Sequence, residues 1–263
     1  MGQQILRTVI VLSGKVDNTF GIVGESLITL GNEIDTISQK IIGFGKESTK
    51  EFVEYDDIMR EVQALGEYDT KTMRALDDLV HQGKILYYGV SEWSPVQITK
   101  ALGIIKDLRL YPMTVLQPQY NMVDRYIEDE IFDISKENGL GIVPFSPLAQ
   151  GLLTGKYRKG QPIPEGSRAT HQADKQINNL LTDHNLDLVE QLSKVADGLG
   201  IPLSVMALAW TLRDKVISSV ITGATKPSQL ESNVLAGDYE LPQDAIDEIE
   251  KILAYKPFRR KVG

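Results

Sequence analysis

The sequence contains no cysteine, and that absence excludes several kinds of chemistry at once. Disulfide bonds, thiolate metal sites and a cysteine nucleophile are all ruled out. Positive charge is also scarce, because 28 lysines and arginines accompany 36 aspartates and glutamates, which gives a formal net charge of −8. A chain with that balance has no broad basic surface for nucleic acid or an anionic membrane, although a local basic pocket for a phosphate is compatible with it.

Long apolar runs are missing as well. No stretch approaches the roughly 18 consecutive apolar residues of a membrane-spanning helix, and the first thirty residues lack the basic start and apolar run of a signal peptide. We therefore expect a soluble, cytoplasmic protein without a membrane or nucleic-acid partner. Its 263 residues, of which 42% are hydrophobic, are enough for one large α/β domain or two small ones.

From Thr72 onward, segments with helical spacing alternate with short apolar runs that are typical of buried strands. The predicted helices cover residues 72–81, 95–106, 127–138, 180–199, 203–213, 227–235 and 242–253. The predicted strands cover residues 84–90, 114–117, 140–145 and 216–222. Alternation at this spacing predicts a parallel sheet covered by helices, and such folds place their chemistry at the carboxyl ends of the strands.

Polar or aromatic residues follow each predicted strand. They are Ser91, Glu92 and Trp93 after the first strand, residues 117–121 after the second, Phe145, Ser146 and Pro147 after the third, and Gly223, Ala224 and Thr225 after the fourth. The third of these segments continues through Gly151 and Gly155, which permit close backbone approach, to Lys156 and Tyr157. The residues alone leave two interpretations open, a binding site and an ordinary surface loop.

Four motifs carry a resemblance to a known family. They read GVSEWS at residues 89–94, QPQYNM at 117–122, GIVPFSPLAQGLLTGKY at 141–157 and GATKPSQLESN at 223–233. In order and spacing they resemble the aldo-keto reductases, in the branch that contains the voltage-gated potassium channel β subunits and their bacterial relatives. The resemblance covers about residues 72 to 260. It implies a parallel (β/α) TIM-barrel type of fold, of which this region would be about the last four of eight units.

The same resemblance implies NADPH or NADP as cofactor, bound at the carboxyl ends of these strands. Ser91 and Gln117 would hydrogen-bond the nicotinamide carboxamide, and Phe145 would stack on the nicotinamide ring. The other implied positions are Ser146, Pro147 and Leu148 on the pyrophosphate path, Lys156 and Arg168 as cations near the cofactor, Gly223, Thr225, Gln229 and Asn233 towards the adenosine end, and Lys226 at a 2′-phosphate. The alternative is that these are surface residues of a barrel rim.

Residues 1–70 match the family less well. Carbonyl reduction in this family uses a tyrosine acid with a lysine, an aspartate and a histidine, and only Lys15, after the apolar run 5–12, has a matching position as a catalytic lysine. A solvated lysine after a strand is the alternative for Lys15. The segment is either a shortened, rearranged barrel half or a foreign, flavodoxin-like α/β piece joined to residues 71–263 in a chimera. In both cases we expect one compact domain.

These observations favour an NADPH-binding oxidoreductase of the aldo-keto reductase type that acts on small carbonyl compounds. Its catalysis would be impaired, because the tyrosine and histidine are not found. Two alternatives stay open, a non-catalytic protein that binds or senses a nicotinamide nucleotide, and a structural hybrid with neither activity. In the hybrid, an open sheet edge would favour homo-oligomers. No metal site is predicted.

Overall fold

The computed structural model describes residues 70–170 and 175–255. These residues fall into two compact units, one with residues 70–88 and 97–113 and the other with residues 89–96, 114–170 and 175–255. Lys15 and the other predictions for residues 1–69 lie outside the described residues.

Two helices form most of the described part of the first unit. Helix α1 spans Thr70–His81 and buries one face, and helix α2 spans Pro95–Leu108, lying in this unit from residue 97 onward. The hydroxyl of Tyr88 donates to the carbonyl of Tyr111 at 2.6 Å, and the Tyr111 N–H donates to the Asp77 carboxylate at 2.7 Å. These bonds tie the chain on either side of α2 to α1.

The second unit is built on a parallel sheet. Strands β1 (Gly89–Ser91), β2 (Val115–Gln117) and β3 (Gly141–Ile142) pair in the order β1-β2-β3. A parallel bridge between Ile142 and Ile217 extends the sheet, and the Ile221 N–H donates to the Pro144 carbonyl at 2.9 Å. The predicted α/β class with parallel strands is therefore confirmed, and the (β/α) barrel stays a prediction.

The strands are shorter than the sequence predicts. Residues 84–88 are not a strand, because Leu86 and Tyr87 are 78% and 54% exposed and no sheet face covers them. The predicted strand 140–145 is regular only at Gly141–Ile142, since Pro144 has no N–H to donate to a ladder. The predicted strand 216–222 is not a regular strand, and its residue that forms a sheet bridge is Ile217.

Of the six α-helices of the second unit, five follow the predicted order with some corrected bounds, and the one at Lys175–Leu180 was not predicted. The six are α3 (Ile131–Asn138), α4 (Lys175–Leu180), α5 (Asp183–Leu199), α6 (Leu203–Thr211), α7 (Pro227–Val234) and α8 (Gln243–Leu253). Short 3-10 segments lie at Tyr126–Glu128, Ala149–Thr154, Arg168–Thr170 and Leu235–Gly237. The predicted helix 127–138 is thus divided in two. Helix α5 begins after Thr182, whose hydroxyl accepts the Asn185 N–H at 3.2 Å, rather than at residue 180.

Helix α6 is the core element of this unit. Eight of its residues are buried, including Met206 and Trp210, as expected for a helix that is apolar on all sides. No single helix among the described residues is long and apolar enough to span a bilayer, and only α5 and α6 taken together meet that length and composition, with a bend of 94° between them.

A buried ionic cluster joins α8 to the chain that follows β2. Arg125, 7% exposed, donates to Glu128 at 2.8 and 3.1 Å and to Glu250 at 2.6 Å. Arg213 donates to Glu128 at 3.0 Å, and the Trp210 indole N–H donates to Glu250 at 3.0 Å. Burial alone would raise the pKa of Glu128, but hydrogen bonds from Arg125 and Tyr120 outweigh it and hold that pKa below its ordinary value.

We expect Glu128→Gln to lower the free energy of unfolding at pH 7 by about 3 kcal/mol, because Arg125 and Arg213 would keep buried charge with too little compensation. The folded-state pKa of Glu128 lies below 4.5, so its contribution is present above that pH and disappears as the pH falls through the folded-state value. The gap between wild type and variant should therefore narrow below about pH 4.5. Urea unfolding followed by tryptophan fluorescence measures it.

Glu248→Gln is the matched control, because the exposed ion pair of Glu248 with Lys251, at 3.5 Å, should contribute less than about 1 kcal/mol. Equal losses in the two variants would contradict the role given to the buried cluster.

Candidate functional site

The carboxyl ends of β1 and β2 place two predicted site residues side by side. Ser91 is the register partner of Gln117, and its hydroxyl donates to the Gln117 carbonyl at 2.7 Å. Within the described residues, the Gln117 side-chain amide makes no hydrogen bond. The Ser91 oxygen can still accept, and the Gln117 amide can both donate and accept. Together they can bind a planar amide.

Phe145 lies beside this pair, at the end of the segment that follows β3. Its N–H donates to the Pro118 carbonyl at 3.1 Å, its carbonyl accepts the Tyr120 N–H at 3.4 Å, and a parallel bridge joins it to Gln119. The backbone is therefore fixed, while the side chain is only half-buried. A partly exposed aromatic ring at this edge can stack on a flat ligand.

The loop after Phe145, residues 146–155, has an unusual backbone. Ser146, Ala149 and Gln150 have φ values of 54°, 47° and 58°, and Gly151 has φ 97°. Each left-handed non-glycine residue costs about 1–2 kcal/mol. Such conformations cluster at functional sites, where the surrounding structure must hold them in place.

Buried Asn121 holds the start of this loop. Its side-chain N–H donates to the Ser146 carbonyl at 3.1 Å, while its oxygen accepts the N–H groups of Val123 and Asp124, both at 3.0 Å. The Ser146 hydroxyl in turn accepts a bond from the Gln150 side chain at 2.7 Å. A continuous hydrogen-bonded path thus runs from the core to the loop.

Two cations lie next to the middle of the loop. The Arg168 guanidinium donates to the side-chain oxygen of Gln150. The Lys156 ammonium lies so close to Gly151 that a Cβ there would come within 3.1 Å of it. Among the described residues neither cation forms an ion pair, whereas neighbouring Lys159 pairs with Asp187 at 2.9 Å. Two cations in this arrangement can bind an anion through charge-assisted hydrogen bonds.

The start of α7 contributes a further group of predicted residues. The backbone N–H of Thr225 donates to the Gln229 side-chain oxygen at 2.7 Å, and exposed Lys226 precedes the helix. Because residues 217 and 221 run parallel to the chain at residues 142 and 144, this segment leaves the sheet at the same edge as the loop. Half-buried Asn233 lies two turns farther along α7.

The sequence prediction missed a tyrosine–carboxylate pair at the same edge. Glu92, which follows β1 with φ 57°, accepts the Gln119 N–H at 2.6 Å and the Tyr126 hydroxyl at 3.1 Å. Burial and the Glu92 charge raise the pKa of Tyr126, so it is a weak proton donor at neutral pH. No local signal identifies the pair, since 34 residues separate the partners.

The aldo/keto reductase family model matches residues 46–254. The chain belongs to the aldo/keto reductase family. The family and its potassium channel β branch, both predicted from the motifs, are thereby confirmed.

Three relatives illustrate the similarity. A "Probable voltage-gated potassium channel subunit beta" of Arabidopsis thaliana is 41% identical over 193 residues, which cover 72% of this chain and 58% of the relative. The protein of the same description from Oryza sativa subsp. japonica is 40% identical over 193 residues, with the same coverage. The "L-glyceraldehyde 3-phosphate reductase" of Escherichia coli (strain K12) is 38% identical over 170 residues, covering 63% of this chain and 48% of the relative. The chain spans about half the length of these relatives.

The geometry divides the predicted site residues into two groups. Hydrogen bonds and neighbouring positions connect the first group, Ser91, Gln117, Phe145, Ser146, Pro147, Leu148, Lys156 and Arg168, around the loop after β3. Gly223, Thr225, Lys226, Gln229 and Asn233 form the second group, at and before α7. Leu148 packs on the apolar cluster of Val205, Leu208, Ala209 and Ala236, and the last of these directly follows α7. That cluster connects the two groups.

Gly151→Ala should destabilise the protein by about 1 kcal/mol more than Gly160→Ala. Both positions have left-handed φ values, 97° and 70°, but only at Gly151 would the new methyl group press on Lys156. Nothing lies within 4 Å of a Cβ at Gly160, which makes that variant the measure of backbone strain alone. Urea unfolding gives both values, and equal losses would show that Lys156 does not pack over the loop.

Proposed function

We propose that this chain binds NADPH at the carboxyl edge of its parallel sheet and acts as an oxidoreductase on small carbonyl compounds. The observation that carries the proposal is the pair of cations, Lys156 and Arg168, which lie next to adjacent residues of a strained loop and have no carboxylate partners among the described residues. A dinucleotide phosphate is a multiple anion, and charge-assisted hydrogen bonds to it are among the strongest that side chains make.

The donors and acceptors of the site fit this ligand. Gln117 and Ser91 offer the amide and the hydroxyl oxygen that a carboxamide needs, and Phe145 offers a ring beside them. Ser146, Pro147 and Leu148 would follow the pyrophosphate, with Lys156 and Arg168 as its counter-ions. Gly223, Thr225, Gln229 and Asn233 would meet the adenosine end, and Lys226 a 2′-phosphate. When bound, NADPH would supply the hydride for carbonyl reduction.

We expect the chain to bind the cofactor but to turn it over slowly. Tyr120 is buried, and its hydroxyl donates to Glu128 and accepts from Arg213. Burial, followed by the Glu128 charge, raises the pKa of Tyr120 despite the opposing effect of Arg213. The Tyr126 hydroxyl likewise donates to the Glu92 carboxylate. Neither tyrosine is arranged as a ready acid, and this favours slow catalysis, with Lys15 as the proposed catalytic lysine.

The hydrogen bonds that hold Tyr120 and Tyr126 to carboxylates also favour a second candidate function. A protein that binds the nucleotide and turns it over poorly fits a sensing or subunit role, as the name of the potassium channel β relatives suggests. The reductase relative instead suggests a small aldehyde as substrate. Turnover distinguishes the two candidates.

Lys226→Ala should weaken NADPH binding by about tenfold and leave NADH binding unchanged, because a charge-assisted contact to the extra phosphate is worth about 1.5–3 kcal/mol. Titration of nicotinamide fluorescence measures both dissociation constants. Lys194→Ala is the control, since Lys194 is exposed and, in the described part of the chain, pairs only with Glu190, at 3.3 Å. An unchanged ratio of NADPH to NADH affinity would make Lys226 a simple surface lysine.

With saturating NADPH, we expect 4-nitrobenzaldehyde to be reduced at least about a hundredfold more slowly than by a family member with an intact acid, because a positioned acid contributes about 10²–10⁴-fold. Oxidation of NADPH followed by absorbance gives the rate. A rate within about tenfold of such an enzyme, abolished by Lys15→Met, would refute the sensing role and establish Lys15 as catalytic.

A further inference from the structure

We infer that Gln150 is a positioning residue, which holds the Arg168 guanidinium in the orientation that the phosphates of the nucleotide require. The inference rests on the proposed NADPH function and adds to it a residue that would act through another side chain. Gln150 precedes Gly151 in the loop after β3 and is half-buried.

Both polar atoms of the Gln150 side-chain amide form hydrogen bonds. Its N–H donates to the Ser146 hydroxyl at 2.7 Å, and its oxygen accepts from Arg168. Ser146 is itself held through its carbonyl by Asn121, which is 1% exposed. The path Asn121–Ser146–Gln150–Arg168 therefore connects an exposed cation to the protein core by three hydrogen bonds.

Only an amide suits this position. A carboxylate would pair with Arg168 and compete with phosphate for the same guanidinium, and an apolar chain would leave the guanidinium without its neutral acceptor. A neutral oxygen fixes Arg168 through one N–H group and leaves its positive charge and its other N–H groups for an anion. Arg168 makes no other hydrogen bond among the described residues.

The backbone of Gln150 supports the same role. Its φ of 58°, beside the left-handed Ala149 and Gly151, turns the side chain back across the loop to Ser146, four residues earlier. The strained turn thereby aims the amide oxygen at Arg168.

A double-mutant cycle tests the inference. Gln150→Met keeps the length of the side chain and removes both hydrogen bonds, and it should weaken NADPH binding roughly two- to tenfold, the value of one hydrogen bond. In an Arg168→Ala background the same change should have no further effect. Gln161→Met, at an exposed glutamine whose side chain makes no hydrogen bond among the described residues, serves as the control. Dissociation constants come from nicotinamide fluorescence.

A second variant guards against misfolding of the first. Gln150→Glu keeps an acceptor for Arg168 and should fold, yet it should weaken NADPH binding more than Gln150→Met does, because its charge competes with the phosphates. Equal losses from Gln150→Met with and without Arg168 would show that Gln150 acts only on the loop, and would overturn the inference. If wild-type protein binds neither NADPH nor NADH, the proposed function itself is wrong.

Discussion

The hydrogen bonds of Asn121 are the constraint on which the site depends. This side chain lies in the core and satisfies its own polar atoms by fixing two neighbouring loops, the turn at residues 121–124 and the start of the loop after β3. A buried amide without partners would be costly, so the folded state favours the one backbone path that satisfies it. The left-handed residues of the loop persist because this anchor holds Ser146.

The neighbouring residue, Tyr120, secures the chain to the helical core, whereas Asn121 shapes the loop. Its ring stacks on Trp210 at 5.5 Å and meets Phe132 edge-on at 5.6 Å, and its hydroxyl joins the ionic cluster of Glu128 and Arg213. The QPQYNM motif therefore has one side chain that secures it to the helical core and, next to it, one that shapes the ligand edge. The two roles fall on adjacent residues, Tyr120 and Asn121.

The sequence predicted the order of elements well and the strands poorly. Helix ends are set by local chemistry: left-handed Gly200 follows α5 at the predicted end, whereas the N-cap at Thr182 lies two residues after the predicted start. Strand limits depend on what a neighbouring segment can bond. Leu86 and Tyr87 have the composition of a strand yet lie exposed, and Pro144 interrupts β3 with a missing donor.

In the candidate site, too, the sequence predicted some features and missed others. Motif residues such as Ser91 and Gln117 could be predicted from the resemblance to the family, because the motifs match it in order and spacing. The Gln150–Arg168 and Glu92–Tyr126 contacts join residues 18 and 34 positions apart, and no periodicity reveals them. Such contacts depend on how separate loops come together in the fold, which the sequence predicts only as a class.

Charge explains why these long-range contacts matter for binding. The chain carries a net charge of −8, so at long range it repels a polyanionic nucleotide. Salt screens that repulsion beyond about 8 Å at physiological ionic strength, and the local cations then decide whether the anion binds. A cation that is already held, as Arg168 is by Gln150, loses less side-chain freedom on binding than a free surface lysine does. In an acidic protein, the affinity for a phosphate therefore depends more on how firmly a few cations are positioned than on how many the chain contains.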